Sequence, residues 1–189
     1  MKRRDFLTFA ATGPLALAIS KAAAAAQPDG AAAASLSQIR ENWKGLLAAG
    51  ADVAVTSEPL KRNNAQWKEL LTAAEFDVLR EEGTERPFSS PLNSEKRPGV
   101  YVCAGCALPL FTSAMKFDSG TGWPSFFTEI PGHLATKTDF KLLFPRTEYH
   151  CVRCGGHQGH VFDDGPPPTR QRWCNNGVAL RFIPAQGKA

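Results

Sequence analysis

The sequence lacks any run of basic residues beyond Lys2-Arg3-Arg4 at its start. Its 22 lysine and arginine residues are interleaved with 18 aspartate and glutamate residues, and the formal net charge is +4. Four of the basic residues fall within the first 21 positions, so the remainder of the chain is close to neutral. A nucleic-acid-binding surface needs positive charge clustered on one face. We therefore expect no nucleic-acid partner.

The sequence also lacks an apolar run of membrane-spanning length. The N-terminal apolar stretch, residues 6–19, is shorter than the roughly 20 residues that a spanning helix needs, and Gly13-Pro14 interrupts it. Arg3-Arg4 precedes this stretch, and the alanines at 22–26 offer Ala-x-Ala cleavage sites. Residues 1–26 thus resemble a bacterial twin-arginine export signal. We expect no permanent membrane span and a mature protein that is released into the periplasm after cleavage.

Internal repeats are limited to two Cys-x-x-Cys motifs. Their cysteines are Cys103, Cys106, Cys151 and Cys154. A Cys₄ set suits a closed tetrahedral Zn²⁺ site, and Gly105 and Gly155 lie where the tight turns favour glycine. Two disulfides, a thioredoxin-type redox pair and iron in the same sulfur cage are the alternatives. The doubled motif and the missing βαβ pattern favour one structural zinc ion per chain.

Cys174 remains once these motifs are set aside, because five cysteines cannot all pair with one another. An isolated cysteine is by default a small buried hydrophobic residue. Arg172 would share a strand face with Cys174, and a nearby guanidinium favours the nucleophilic thiolate. His157 and His160 are candidates for acid–base chemistry, with His160 the stronger. For His157, which follows a Cys-x-x-Cys motif, a structural hydrogen-bonding role is an equal alternative. Trp123, in a Gly-Thr-Gly-Trp-Pro loop, is a candidate for the apolar wall of a pocket.

The predicted fold is mainly β, an antiparallel β-sheet domain preceded by short helices. Helices are expected at 35–49, at 65–71 and from Thr72, where Thr72 and Glu75 form a capping box and Gly83 ends the helix. The predicted strands lie at 100–102, 141–144, 148–152, 159–162 and 178–183. This organisation predicts an export signal at 1–26, a linker with helices at 27–69 and one functional domain at 70–189.

Residues from about 70 to 184 resemble the B-type methionine sulfoxide reductases, which act on the R epimer of the sulfoxide. The motifs that carry the resemblance are Gly-Thr-Glu-Arg-Pro-Phe at 83–88, Val-Tyr-Val-Cys-Ala-Gly-Cys at 100–106, Lys-Phe-Asp-Ser-Gly at 116–120, Gly-Trp-Pro-Ser-Phe at 122–126, Arg-Cys-Gly-Gly-His-Gln-Gly-His-Val-Phe-Asp-Asp-Gly at 153–165 and Arg-Trp-Cys-Asn-Asn at 172–176. The resemblance implies an antiparallel β domain, structural zinc on the four motif cysteines and an oxidoreductase whose partners are oxidised proteins or peptides.

The same resemblance implies roles for individual residues. Cys174 would be the nucleophile, and Trp123 would pack against the methyl group of the substrate. His157, His160 and Asn176 would line the sulfoxide pocket. Each of these positions carries the residue that the family has there.

Two positions depart from the family pattern. Many members have a resolving cysteine where this chain has Thr121, so the sulfenic acid left on Cys174 is expected to be reduced by an external thiol. That thiol would belong to a small molecule or to a thioredoxin-like protein. The family also commonly has serine where this chain has Gly177, and this change is expected to loosen the floor of the pocket.

Two other classes of function are consistent with the residues. A zinc-stabilised β module that binds proteins would leave Cys174 structural and its thiol inert at neutral pH. An oxidation sensor would use Cys174 without sustained turnover. Rapid alkylation of Cys174 would oppose the first class, and many turnovers would oppose the second.

Overall fold

The computed structural model describes residues 34–141 and 144–186, so the predicted export signal at 1–26 lies outside the described residues. Three short α-helices come first: α1 (Leu36–Glu41, continued by a 3₁₀ turn over Asn42–Leu46), α2 (Asn64–Leu70) and α3 (Ala73–Glu81). Each begins with a capping box, in which the N-cap side chain accepts a backbone N–H of the first turn. The predicted Thr72–Glu75 box is confirmed. Within the described residues, the helices fall short of the length and apolar character that a membrane crossing requires.

The end of α3 differs from the prediction. Glu82, and not Gly83, adopts the left-handed conformation that ends the helix, with φ 56°. Gly83 N–H then donates to the Asp77 carbonyl at 3.0 Å. A Cβ at Gly83 would overlap the Asp77 carboxylate. Glycine therefore suits this position because the Asp77 side chain lies close to its Cα, and not because its backbone is left-handed.

The strands of the described residues form two antiparallel sheets, which confirms the mainly β fold class. The strands are β1 (Gly99–Cys103), β2 (Pro109–Thr112), β3 (Lys116–Phe117), β4 (Ser125–Phe126), β5 (Leu134–Asp139), β6 (Arg146–Cys151), β7 (His157–Phe162), β8 (Arg172–Asn175) and β9 (Leu180–Pro184). The smaller sheet has the order β2-β1-β9, and the larger has the order β3-β4-β8-β7-β6-β5. Strand β8 therefore lies inside the larger sheet, between β4 and β7.

The strand expected at 141–144 is not found at its two described ends. Lys141 and Phe144 lie in bends, and residues 142–143 lie outside the described part of the chain. Lys141 N–H donates to Asp139 Oδ1 at 2.8 Å, a side-chain turn that ends β5. The pairing partner of β6 is instead the more polar β5, with Asp139 opposite Arg146.

An aromatic core joins the two sheets. The rings of Phe111 on β2 and Phe126 on β4 stack with centroids 4.0 Å apart. Tyr149 on β6 packs edge-on against Trp173 on β8 at 4.9 Å. Aromatic pairs of this kind contribute beyond the area that they bury. The core thus fixes the back of β8, the strand that carries Cys174.

Candidate active site and metal centre

The four motif cysteines converge on one point. Their sulfur atoms all lie within 4.8 Å of one another. The Cys103–Cys154 and Cys106–Cys151 sulfur pairs are 3.6 and 3.5 Å apart. A disulfide bond is about 2.05 Å long, whereas sulfurs bound at about 2.3 Å to a tetrahedral ion lie about 3.8 Å apart. The four cysteines are free thiols in the described structure, and their geometry fits a metal ion.

Each Cys-x-x-Cys motif forms a tight turn, here called a knuckle, and the two knuckles share one backbone pattern. Ala107 N–H donates to the Cys103 carbonyl and Gly155 N–H to the Cys151 carbonyl, both at 2.8 Å. In each knuckle the residue after the second cysteine is left-handed, with φ 60° at Ala107 and 69° at Gly155. The requirement for glycine thus holds at Gly155 but not at Gly105. Gly105 lies one position before the second cysteine of its knuckle, and the left-handed residue there is Ala107 instead.

Helices α2 and α3 cover the knuckles. Trp67 on α2 is 1% exposed, and the guanidinium groups of Arg62 and Arg80 each lie 5.1 Å from its ring centroid. Arg80 also donates to the Cys154 carbonyl at 2.8 Å. From below, Gln158 Nε2 donates to Cys103 Sγ at 3.4 Å. The helical region therefore shields the metal centre from water.

The register of the larger sheet places the candidate nucleophile. Cys174 on β8 lies opposite His160 on β7 and opposite Ser125 on β4. Residues opposite one another in an antiparallel pair project from the same face, so Cys174 and His160 share a face of the sheet. A Cβ at Gly159 would overlap the Cys174 carbonyl oxygen. Glycine at this position lets β7 approach β8 closely enough for the pairing.

A cavity of about 120 Å³ opens on this face. Four residues singled out from the sequence line it: Trp123, His160, Cys174 and Asn176. Thr84, Arg146, Gly159 and Phe162 complete the lining and were not predicted. Strand alternation could have identified Phe162, since it lies two residues after His160. Thr84 belongs to the motif at 83–88, which could have pointed to it, whereas Arg146 reaches the cavity only through tertiary folding and has no local signal.

His157, for which both a structural and a functional role were open, does not line the cavity. It is 3% exposed, and its ring lies behind His160, with centroids 5.4 Å apart. Its Nδ1 lies 2.7 Å from Glu148 Oε1, and the same carboxylate bonds His150 at 3.0 Å. Burial raises the pKa of Glu148, but the hydrogen bonds from the two histidines outweigh it and bring the pKa to about 2. The geometry suits His157 to support the site from behind rather than to form its wall.

His160 is oriented by a carboxylate. Its Nε2 lies 2.8 Å from Asp139 Oδ2, and Arg146 bonds the same oxygen at 2.7 Å. The hydrogen bond from the Lys141 backbone is the largest of several that hold the pKa of Asp139 well below its usual range. An ionised Asp139 fixes the His160 tautomer with the proton on Nε2, so Nδ1 is the ring nitrogen left for chemistry. Burial lowers the pKa of His160, so the ring is neutral at neutral pH.

The charge state of Cys174 differs from the expected thiolate. Burial raises the pKa of its thiol, and the Arg172 guanidinium and the Thr121 hydroxyl offset this only in part. Arg172 shares the face of Cys174, as predicted, but it is held by Asp164 through two hydrogen bonds of 2.8 and 2.9 Å. It also packs over the Phe162 ring at 4.4 Å. The balance of these effects therefore favours the neutral thiol of Cys174 over the thiolate.

Thr121 begins a chain of hydroxyl groups beside the thiol. Its Oγ1 lies 2.9 Å from Ser119 Oγ, which lies 2.7 Å from Ser125 Oγ. Ser125 donates to the Trp123 carbonyl at 3.1 Å. The chain thus connects the neighbourhood of Cys174 to the backbone of the residue that forms the apolar wall.

Gly177, where a looser pocket floor was expected, packs against Ser90 and does not line the cavity around Cys174. This residue is buried, and a Cβ there would overlap the Ser90 hydroxyl. Ser90 therefore fills the space that a side chain at position 177 would take. The contact could not be foreseen, because Ser90 lies 87 positions earlier in the chain, and the looser floor stays a prediction.

Comparison with known proteins agrees with the geometry. The chain matches the SelR domain over residues 71–184. It is 47% identical over 131 residues to a peptide methionine sulfoxide reductase MsrB of Agrobacterium fabrum, covering 69% of this chain and 97% of that one. It is 46% identical over 129 residues to the enzyme of the same name from Methanosarcina barkeri, covering 68% and 91%. A chloroplastic peptide methionine sulfoxide reductase B1 of Arabidopsis thaliana is 49% identical over 118 residues, covering 62% and 58%.

The SelR match spans more than half of the chain, and the chain covers nearly the whole length of the bacterial relative. The order of the motifs, the four converging cysteines and the cavity around Cys174 all fall within the matched region. The chain belongs to the SelR-domain family, that of the B-type methionine sulfoxide reductases.

Proposed function

We propose that the protein reduces the R epimer of methionine sulfoxide in oxidised proteins and peptides to methionine, with Cys174 as the nucleophile. It would thus be a peptide-methionine (R)-S-oxide reductase, an oxidoreductase that acts on sulfur. The observation that carries the proposal is the cavity in which Trp123, His160, Cys174 and Asn176 meet. The names of the relatives, which are peptide methionine sulfoxide reductases, support the same reaction.

The first half-reaction starts from a neutral thiol and a neutral imidazole. The Cys174 sulfur attacks the sulfoxide sulfur while His160 Nδ1 takes the thiol proton, and the ionised Asp139 stabilises the imidazolium. His160 then gives the proton to the sulfoxide oxygen. The protonated oxygen is transferred from the substrate sulfur to Cys174 Sγ: a new S–O bond forms on Cys174, while the S–O bond of the substrate and the S–S bond made in the attack both break. Methionine leaves, and Cys174 is left as a sulfenic acid. The substrate sulfur gains the two electrons that Cys174 loses.

The substrate would be bound by two walls of the cavity, an apolar wall formed by Trp123 and a polar wall opposite it. The indole of Trp123 would pack against the methyl group of the sulfoxide, and the polar side of the cavity would receive its oxygen. Asn176 and His160 lie on that polar side. An epimer with methyl and oxygen exchanged would place its oxygen against the indole without a hydrogen-bond partner, which is costly in a buried site.

An external thiol would complete the cycle. Four of the five cysteines are gathered at the metal centre, and Thr121 offers Cys174 a hydroxyl in place of a thiol. The external thiol attacks the sulfenic sulfur of Cys174, water leaves, and a mixed disulfide forms. A second thiol then displaces Cys174. The donor would be a small thiol or a thioredoxin-like protein.

The metal centre would be structural. We propose that Cys103, Cys106, Cys151 and Cys154 hold one Zn²⁺, since thiolate sets of this size and shape suit zinc. When bound, the ion would cross-link the two knuckles and so contribute to folding. Residues 1–26 would serve as a twin-arginine export signal and place the mature enzyme in the periplasm.

A chiral turnover assay tests the proposal. Purified protein with excess dithiothreitol would receive protected methionine sulfoxide as a racemate, beside a Cys174→Ser control. We expect consumption of the R epimer alone, with none in the control. If folded, metal-loaded protein consumed neither epimer, the protein-binding module would become the better interpretation. A single turnover per chain would instead indicate an oxidation sensor.

A further inference from the structure

Glu85 is hydrogen-bonded to both walls of the cavity. Its backbone carbonyl accepts the Trp123 indole Nε1–H at 3.2 Å, and its backbone N–H donates to Asn176 Oδ1 at 3.0 Å. Trp123 stands in the loop between β3 and β4, and Asn176 directly follows β8. The β4–β8 pairing, continued by the 2.9 Å hydrogen bond from the Asn175 N–H to the Pro124 carbonyl, already brings the backbones of these two residues together. Glu85 adds one hydrogen bond to each of their side chains.

The Glu85 carboxylate also holds the turn that follows the nucleophile strand. Its Oε1 accepts the Gly177 N–H at 2.6 Å, and its Oε2 accepts the Val178 N–H at 2.8 Å. These two residues begin the 3₁₀ turn Gly177–Ala179, where backbone N–H groups have no acceptor within the turn. Hydrogen bonds to an ionised acceptor are shorter and stronger than neutral ones. The carboxylate thus fixes the backbone immediately after Asn176.

Asn176 is held from its other side by β7. Its Nδ2 and its backbone N–H both donate to the Gln158 carbonyl, at 3.0 and 2.8 Å. The side-chain oxygen of Asn176 accepts the remaining hydrogen bond, from the Glu85 N–H. The segment that contains Glu85 is tied to the Trp123 loop a second time, because Phe88 N–H donates to the Gly122 carbonyl at 2.7 Å. Movement of this segment would shift the indole and the amide together.

From these contacts we infer that Glu85 is a positioning residue that sets the separation of Trp123 and Asn176, and through it the choice of the R epimer. The inference rests on the proposed function, in which these two side chains receive the methyl group and the oxygen of the substrate. Glu85 acts through the indole and the amide rather than on the reacting atoms. Without its carboxylate the turn after Cys174 loosens, the cavity widens, and the two epimers are distinguished less sharply.

Variants at Glu85 separate positioning from stability. In Glu85→Ala, we expect KM for the R epimer to rise about tenfold, as for loss of hydrogen bonds to a charged group, and the R-over-S preference to fall. Glu85→Gln keeps one acceptor oxygen and should lie between Glu85→Ala and the wild type. Each kcat is expressed per chain with a reactive Cys174, counted by alkylation of its thiol, so that loss of folded protein does not affect the comparison. Glu75→Ala is the matched control, because Glu75 is also a carboxylate that accepts a backbone N–H, that of Thr72 at 2.8 Å.

The control should lower Tm and leave KM and epimer preference unchanged. If Glu85→Ala lowered Tm in the same way, with KM and epimer preference unchanged, the inference would be overturned and Glu85 would be only structural.

Hydrogen exchange provides a readout that needs no turnover. In Glu85→Ala, the Gly177 and Val178 amides should exchange faster, and the Trp123 indole N–H should accelerate with them, whereas Glu75→Ala should change none of the three. If only the two amides accelerated and the indole did not, Glu85 would not couple the two walls and the inference would fail. Should the wild-type protein reduce neither epimer, the proposed function would fail on its own, and the exchange data would still decide the coupling.

Discussion

Burial and an ion pair act in opposite directions on Cys174. Burial is the larger effect and raises the pKa of the thiol, while Arg172 lowers it. Asp164 draws the guanidinium into two hydrogen bonds and itself raises the pKa of the thiol. A neutral thiol is less open to oxidation than a thiolate, so this arrangement protects Cys174 between turnovers. The nucleophile would be activated only when His160 takes the proton.

The pH dependence of kcat/KM follows from these two groups. In the productive state the Cys174 thiol is protonated and the His160 ring is neutral. Burial lowers the pKa of His160 from its ordinary 6.5, and burial raises that of Cys174 from its ordinary 9.0. We expect a plateau with an acid limb below pH 6.5 and an alkaline limb above pH 9.0. A steady-state pH profile measures both limbs, and a bell centred on a narrow optimum would contradict the assignment.

Two charge variants should move Cys174 in opposite directions. Arg172→Met removes the guanidinium, so the pKa of the thiol rises further, and each unit of rise lowers the thiolate fraction about tenfold. Asp164→Asn removes a negative charge and leaves Arg172 in place, so the pKa of the thiol falls. Iodoacetamide alkylation rates as a function of pH measure both shifts. Equal rates in the two variants would show that Arg172 does not control the thiol.

The site residues could be predicted from the sequence where chemistry and spacing coincide. Cys174 stands out by cysteine count and by Arg172 two positions earlier, and His160 by its place in a β-rich run. Asp139 and Arg146 could not be found in this way. They meet His160 only because β5, β6 and β7 pair in one register, and a register is not visible in a single strand.

At the scale of elements, the two knuckles and the two helices above them behave as one unit. The knuckles belong to different sheets, since Cys103 ends β1 of the smaller sheet and Cys151 ends β6 of the larger. Arg80 on α3 bonds the second knuckle, and Trp67 on α2 lies buried beside it. A metal ion at this point therefore joins the two sheets and the helical cover.

Loss of one metal ligand should destabilise this unit. In Cys106→Ser we expect the metal to be lost and Tm to fall, because metal binding free energy is folding free energy in such sites. Metal content per chain and thermal unfolding measure the two effects. Cys174→Ser is the control, with metal content and Tm close to those of the wild type. An unchanged Tm in metal-free Cys106→Ser would show that the centre is not structural.

The elements differ in how far the sequence predicts them. Helix α3 was predicted because its capping box and apolar positions are local signals. Strands β3 and β4 are two residues long, and β5 is mostly polar, so none of the three carries the alternation of a half-buried strand. They exist because neighbouring strands offer hydrogen-bonding edges. Of the strand predicted at 141–144, the two described ends, Lys141 and Phe144, lie in bends, and the turn after Asp139 engages the backbone of Lys141.

At the scale of the whole molecule, the proposed function combines an export signal with a catalytic thiol that would need an external reductant. Exported proteins meet an oxidising environment in which free thiols are scarce. The proposed cycle consumes two thiols for each sulfoxide. The periplasmic donor would therefore have to be kept reduced by a continuous supply of electrons.

Export can be tested by changing the paired arginines. We expect the double variant Arg3→Lys, Arg4→Lys to remain in the cytoplasm with its signal uncleaved, since the twin-arginine route recognises that pair. Cell fractionation and the mass of the N-terminus are the measurements. Lys21→Gln is the control, because it changes one basic charge outside the pair, and it should still be exported. Periplasmic recovery of the double variant would assign the signal to another route.

The contact between Ser90 and Gly177 also has a historical consequence. The two positions cannot both carry a side chain, because a Cβ at 177 would occupy the place of the Ser90 hydroxyl. If an ancestor had serine at 177, its side chain must have been lost before, or together with, the arrival of serine at 90. Restoring serine at 177 alone would then be blocked today, although each substitution is small. The order of substitution therefore matters at this pair: a side chain at 177 requires that Ser90 first move or be replaced by a smaller residue.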